Sequence, residues 1–135
     1  MAVEAIVEAV KKTISLCDKV VESSDSEKFI KSVQELNAST EETFAEMRKT
    51  ISEDQTLSTD EKLKRLGELA DKQIAARQTC EEAIKDNKSN SSNVVGSVLL
   101  AISTGGVSLG VSGIIKKIQK DKTKKSNLKL TNTKQ

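Results

Sequence analysis

The sequence predicts an all-α protein: three amphipathic helices forming a coiled-coil-like bundle, then a Gly/Ser-rich apolar helix with the length of a membrane span, then a basic tail. Three observations carry this. The chain of 135 residues contains no proline and is rich in Glu, Lys, Ala and Leu, a composition of long helices joined by short polar breaks. Apolar residues recur at alternating gaps of three and four along each of the first two predicted helices and more loosely along a third, the period of a helical seam. And residues 94–115, VVGSVLLAISTGGVSLGVSGII, hold no charge in a chain that is 31% charged.

Residues 2–22 place Val3, Val7, Val10, Ile14, Cys17 and Val21 on one seam, widened by Ile6 and Val20. Its β-branched residues lower intrinsic helicity, so this helix needs a partner to pack on. Glu8 and Lys12 stand four apart in the favourable order. The stretch Ser23-Ser24-Asp25-Ser26 breaks the chain, and Ser24 with Glu27 has capping-box spacing. A second helix then runs to about Ser52, with Ile30, Val33, Asn37, Thr40, Phe44, Met47 and Ile51 in register. Asn37 and Thr40 either fix the register between helices or mark where the seam meets water.

Ser58 and Glu61 repeat the capping-box spacing and open a third helix over about 59–87. Its stripe is looser: Leu63, Leu66, Leu69, Ala70, Ile74, Cys80, Ala83 and Ile84, interrupted by Gln73 and Arg77. Glu61/Arg65, Glu68/Lys72 and Glu81/Lys85 are i,i+4 pairs on its wet side. The domain reading is therefore an acidic helical region over 1–88, a polar linker over 89–93, the apolar segment over 94–115 and a basic, disordered tail over 116–135.

The apolar segment has 12 aliphatic residues, five Gly, four Ser and one Thr. As one helix, 22 residues would reach about 33 Å, near the roughly 30 Å of a bilayer core. Each Gly would cost roughly 1 kcal/mol in a water-soluble helix, whereas small residues let helices approach closely in a membrane. Ser97, Ala101 and Gly105 form one such row; Gly106 and Gly110 form a GxxxG pair, and Ser108 and Ser112 another small pair. A turn at Ser103-Thr104-Gly105-Gly106 would instead divide the segment into a hairpin, and a third arrangement wraps it as the central helix of a soluble bundle.

The overall charge of +2 conceals an asymmetry. The tail carries eight lysines, including Lys116, Lys117, Lys120, Lys122, Lys124 and Lys125, against Asp121 alone, a net +7 that leaves −5 for the rest. Lysines directly after an apolar segment are the pattern that favours anionic lipid and the cytoplasmic face. No aromatic residue interleaves them for base stacking, which argues against nucleic acid. The N-terminal residues MAVEAIVEAVKK carry acids within their apolar pattern and do not resemble a secretory signal.

Enzymatic chemistry is not expected. The chain has no His, which removes Ser/His and Cys/His nucleophiles. Cys17 and Cys80 make neither a zinc site nor a disulfide framework and read as small buried thiols. The Gly-rich stretch lacks the Gly-Lys-Ser/Thr end of a phosphate loop. Asn37, Asn87 and Asn90 match the glycosylation pattern at a frequency that chance explains. No catalytic residue, metal, cofactor or small-molecule substrate is expected. The expected partners are anionic lipid and a helical protein or further copies of the chain. The expected function is that of a small membrane-associated helical protein that oligomerises or tethers. The alternatives are a membrane-perturbing protein that hides its apolar helix in a soluble bundle, and a wholly soluble adaptor bundle.

Overall fold

A computed structural model describes residues 3–86, 91–107, 109, 113, 115–118 and 120, and its described residues form helices and the short turns between them. The helices are α1 (Val3–Glu22), α2 (Ser26–Glu53), α3 (Thr59–Asp86) and α4 (Ser91–Val107). They form a four-helix bundle in which each helix packs on its chain neighbour and α4 closes back on α1. Cross-helix pairs fix the directions. Thr13 meets Ser39 and Thr43, while Ser23 meets Ser32, so α1 and α2 run antiparallel. Arg77 meets Glu41 and Lys62 meets Ser52, so α2 and α3 do as well.

The ends of the helices follow local chemistry. The cap of α2 is Asp25, whose Oδ1 accepts from the Lys28 amide at 2.8 Å. This moves the expected cap one residue beyond Ser24, because a carboxylate outcompetes the neighbouring hydroxyl for the first-turn amides and their dipole. Ser58 caps α3 as its spacing predicts, accepting from the Glu61 amide at 3.1 Å. Of the expected linker over 89–93, Ser91, Ser92 and Asn93 belong to α4, and residues 89–90 lie outside the described residues.

The core holds Ile6, Val10, Ile14, Val20, Val33, Leu36, Phe44, Met47, Ile51, Leu69, Val98 and Ile102, each no more than 5% exposed. Most of the expected seam lies here: Val10, Ile14, Cys17, Val33, Phe44, Met47 and Ile51 are buried, and Val7 and Ile30 are half-buried. Val21 is a correction at 57% exposed. Since α1 packs between α2 and α4, its buried face centres on the line Ile6, Val10, Thr13, Cys17 and Val20, and Val21 falls off the edge of that line. The side chain of Val3 lies outside the described residues.

The α1–α2 seam has a hydroxyl layer at its centre. Thr13, Ser39 and Thr43 are all at most 2% exposed. Thr13 Oγ1 lies 2.8 Å from the Ala9 carbonyl, 2.8 Å from Ser39 Oγ and 3.1 Å from Thr43 Oγ1. Thr43 donates to the Ser39 carbonyl at 3.0 Å. With that proton committed, Thr13 satisfies Ala9 by donating and Ser39 by accepting. Thr40 is buried too and donates to the Leu36 carbonyl at 2.7 Å, while Asn37 is half-buried. The polar seam positions of α2 thus lie inside the bundle.

The fourth helix and its seat as the candidate functional site

An uncharged fourth helix is the feature that sets this bundle apart. Its inner face is Val94, Val98, Ala101, Ile102, Gly105 and Gly106, all buried. At Gly105 the seat is tight. An added Cβ would stand 3.1 Å from Leu69 Cδ2, 3.2 Å from Phe44 Cε1 and 3.7 Å from Met47 Sδ. The missing side chain therefore lets α4 reach both α3 and, across the bundle, α2. Beyond α4, Ile115 is 1% exposed and Ile118 is partly buried against the same core.

The small-residue row is accordingly used, but inside the chain. Ala101, Gly105 and Gly106 pack within the bundle and Ser97 is half-buried at its rim. Gly110 and the Ser108/Ser112 pair lie outside the described residues. The described residues do not support the expected single membrane helix over 94–115, of which 108, 110–112 and 114 lie outside them. As a helix α4 covers 17 residues, about 26 Å at 1.5 Å per residue, which falls short of the roughly 30 Å bilayer core. Among the described residues no helix is long and apolar enough to cross a membrane.

The outer face of α4 has no charge either. Asn93, Gly96, Leu100 and Val107 are exposed, the last two at 65% each. Lys116, Lys117 and Lys120 are exposed just beyond it, while Lys122, Lys124 and Lys125 lie outside the described residues. In sequence the uncharged helix is thus followed within ten positions by exposed lysines.

The α2–α3 seam holds a polar chain that periodicity alone had treated as an interruption. Arg77 donates to Glu41 through Nε at 2.7 Å and Nη2 at 3.0 Å, a two-pronged ion pair. Gln73 donates to the same carboxylate and accepts from Arg48. The Arg77 hydrogen bonds hold the Glu41 carboxyl below the usual carboxylate range, against burial acting the other way and with help from Gln73. Lys12 pairs with Glu42 on α2 at 3.5 Å rather than with Glu8, which sits 3.9 Å from Lys11. Glu61 and Arg65 pair at 3.0 Å, as their spacing predicts.

Cys17 and Cys80 are buried free thiols. Burial is the main cause that pushes the Cys80 thiol up to about 11, with Glu41 and Glu81 adding to it. The two thiols sit on diagonal helices, and no Cα of α1 comes within 8 Å of a Cα of α3, beyond the roughly 7 Å limit for a disulfide. Among the described residues no group of three or more Cys, Asp or Glu could hold a metal ion. Comparisons with protein-family models, with curated proteins and with solved structures find no match to this chain.

Proposed function

We propose that the chain is a non-enzymatic, membrane-active helical protein that stores an apolar helix in its own bundle and gives it up to an anionic lipid surface. One observation carries this reading: α4 is uncharged on both its faces, although its outer face meets water. A helix that served only to complete a bundle would carry charge on its wet side. In this one, Leu100 and Val107 stand exposed, and exposed Lys116, Lys117 and Lys120 follow in the chain.

In the proposed action the lysines bring the bundle to the headgroups of the cytoplasmic leaflet, each contributing about 1 kcal/mol near an anionic surface. Leu100 and Val107 enter the interface first. The buried face of α4 can then exchange its contacts with Leu69, Phe44 and Met47 for acyl chains, a transfer between two apolar media with little net penalty. A 17-residue helix suits interfacial insertion better than a full span.

Vesicle flotation tests this. The full chain should float with phosphatidylserine-containing vesicles, release as salt rises, and stay at the bottom with pure phosphatidylcholine. A chain that ignores anionic vesicles at low salt refutes the proposal and leaves the soluble adaptor reading in its place.

A further inference from the structure

The apolar stripe of α3 divides into two faces. Leu69, Ala76, Cys80 and Ala83 are buried with Gln73 on the core side. Leu63, Gly67, Ala70 and Ile74 follow gaps of four, three and four on another side, roughly 130° round the helix at 100° per residue. Leu63 is 63% exposed and Ile74 46% exposed, Gly67 is exposed, and Ala70 is half-buried. The four positions have the spacing of a helix–helix seam, yet Leu63, Gly67 and Ile74 are left exposed by the bundle.

We propose that this face of α3 is a self-association surface, pairing two copies antiparallel about a two-fold axis that passes between Gly67 and Ala70. In that register Leu63 lies opposite Ile74 of the second copy and Gly67 lies opposite Ala70. The bulky residues stand at both ends and the small ones at the centre. A Cβ at Gly67 would meet nothing within 4 Å, so the glycine is not required by the chain's own packing and leaves room for an approaching helix.

Charge selects a second copy as the occupant. Lys64 and Asp71 lie on one edge of the stripe, both exposed, and neither pairs within the described residues. Antiparallel pairing puts the edge carrying Lys64 beside the same edge of the other copy, with Lys64 about 3 Å along the axis from Asp71 of that copy and within reach of its long side chain, twice by symmetry. A parallel pair would bring those positions toward Leu66 and Gln73 instead, with no opposite charge to meet. A lipid surface would find the mixed signs unfavourable. The stripe from Leu63 to Ile74 is about 17 Å long, so the interface belongs to the small, weak class with concentration-dependent assembly.

Sedimentation velocity on the full chain without lipid or detergent, across about two decades of concentration around the micromolar range, reads this directly. The unaltered chain should shift from monomer to dimer, and Ile74→Glu should stay monomeric with an unchanged circular dichroism melt. Lys64→Asp should raise the dimer Kd about tenfold by replacing two attractions with two repulsions. The double exchange Lys64→Asp with Asp71→Lys should return it to near its original value. A chain that is monomeric throughout, or a dimer indifferent to Ile74→Glu, overturns the surface. A double exchange as weak as Lys64→Asp alone overturns the antiparallel register. This result is independent of the lipid reading, which concerns α4.

Discussion

Replacing Gly105 with valine tests whether α4 is seated as closely as its backbone implies. Carbon pairs rest at about 3.5–4.0 Å, whereas a Cβ here would stand at 3.1 Å from Leu69 and 3.2 Å from Phe44. Leu69 meets it with a terminal methyl, which can swing, but Phe44 is 0% exposed and its ring is held on all sides. Valine adds two methyls beyond that Cβ. Overpacking of this kind costs typically 1–3 kcal/mol, and leaving glycine behind in a helix returns about half a kcal/mol. The net loss is about 1–2 kcal/mol, and at about 4 °C per kcal/mol for a domain of this size the melting temperature falls by about 4–8 °C. Gly96→Ala is the matched control on the same helix. Its Cβ would meet nothing within 4 Å, so it should gain up to about 1 kcal/mol from helix propensity alone. Thermal melts followed by circular dichroism read both signs. A Gly105→Val protein as stable as the parent would refute the close seat, and with it the account of why α4 is glycine-rich. Under the lipid proposal the same variant, with α4 loosened, should float with anionic vesicles at higher salt than the parent does.

Two further outcomes follow from the polar seams. Thr13→Val keeps shape but strips the hydroxyl that Ser39 and Thr43 approach; denaturant unfolding should show a loss of about 1–2 kcal/mol, whereas the triple change with Ser39→Ala and Thr43→Val should cost little more than the single one, because no partner is then left unsatisfied. For Glu41, the folded carboxyl titrates below its ordinary 4.5, so its contribution is fully present above pH 4.5 and is lost as pH falls through the lowered value. Both partners are partly exposed, with the Arg77 side chain at 44% and that of Glu41 at 32%, which limits the contribution to about 1 kcal/mol. Arg77→Met should therefore flatten the fall in stability below pH 4.5, as followed by urea midpoints across the acid range; an unchanged pH profile would show that the ion pair does not persist in solution.

The helical class and three of the four helices are readable from the sequence to within a residue or two, because the 3.6-residue period and the serine caps act locally. What is not readable depends on which neighbours a helix has. Periodicity gathers Leu63, Leu69, Ala70, Ile74 and Cys80 into one broad stripe, but only the packed structure sends Leu69 and Cys80 inward and Leu63 and Ile74 outward. Gln73 and Arg77 interrupt a stripe on paper. In space they reach Glu41, which is 32 and 36 residues away, and no local signal could announce that pairing. The small residues of α4 suit a surface for other membrane helices equally well on paper, since composition alone cannot tell close approach within a chain from close approach between chains. The structure spends Gly105 on Leu69, Phe44 and Met47.

The chemistry of that seat also makes it sensitive to cold. At Gly105, α4 rests on a leucine methyl, a phenylalanine ring and a methionine sulfur, whereas α1 and α3 add hydroxyl contacts and an ion pair to their apolar packing on α2. Apolar attachment carries a large heat-capacity change and weakens on cooling, while hydrogen-bonded seams do so far less. Cooling a sample should therefore weaken the seat at Gly105 before it weakens the hydroxyl layer and the ion pair.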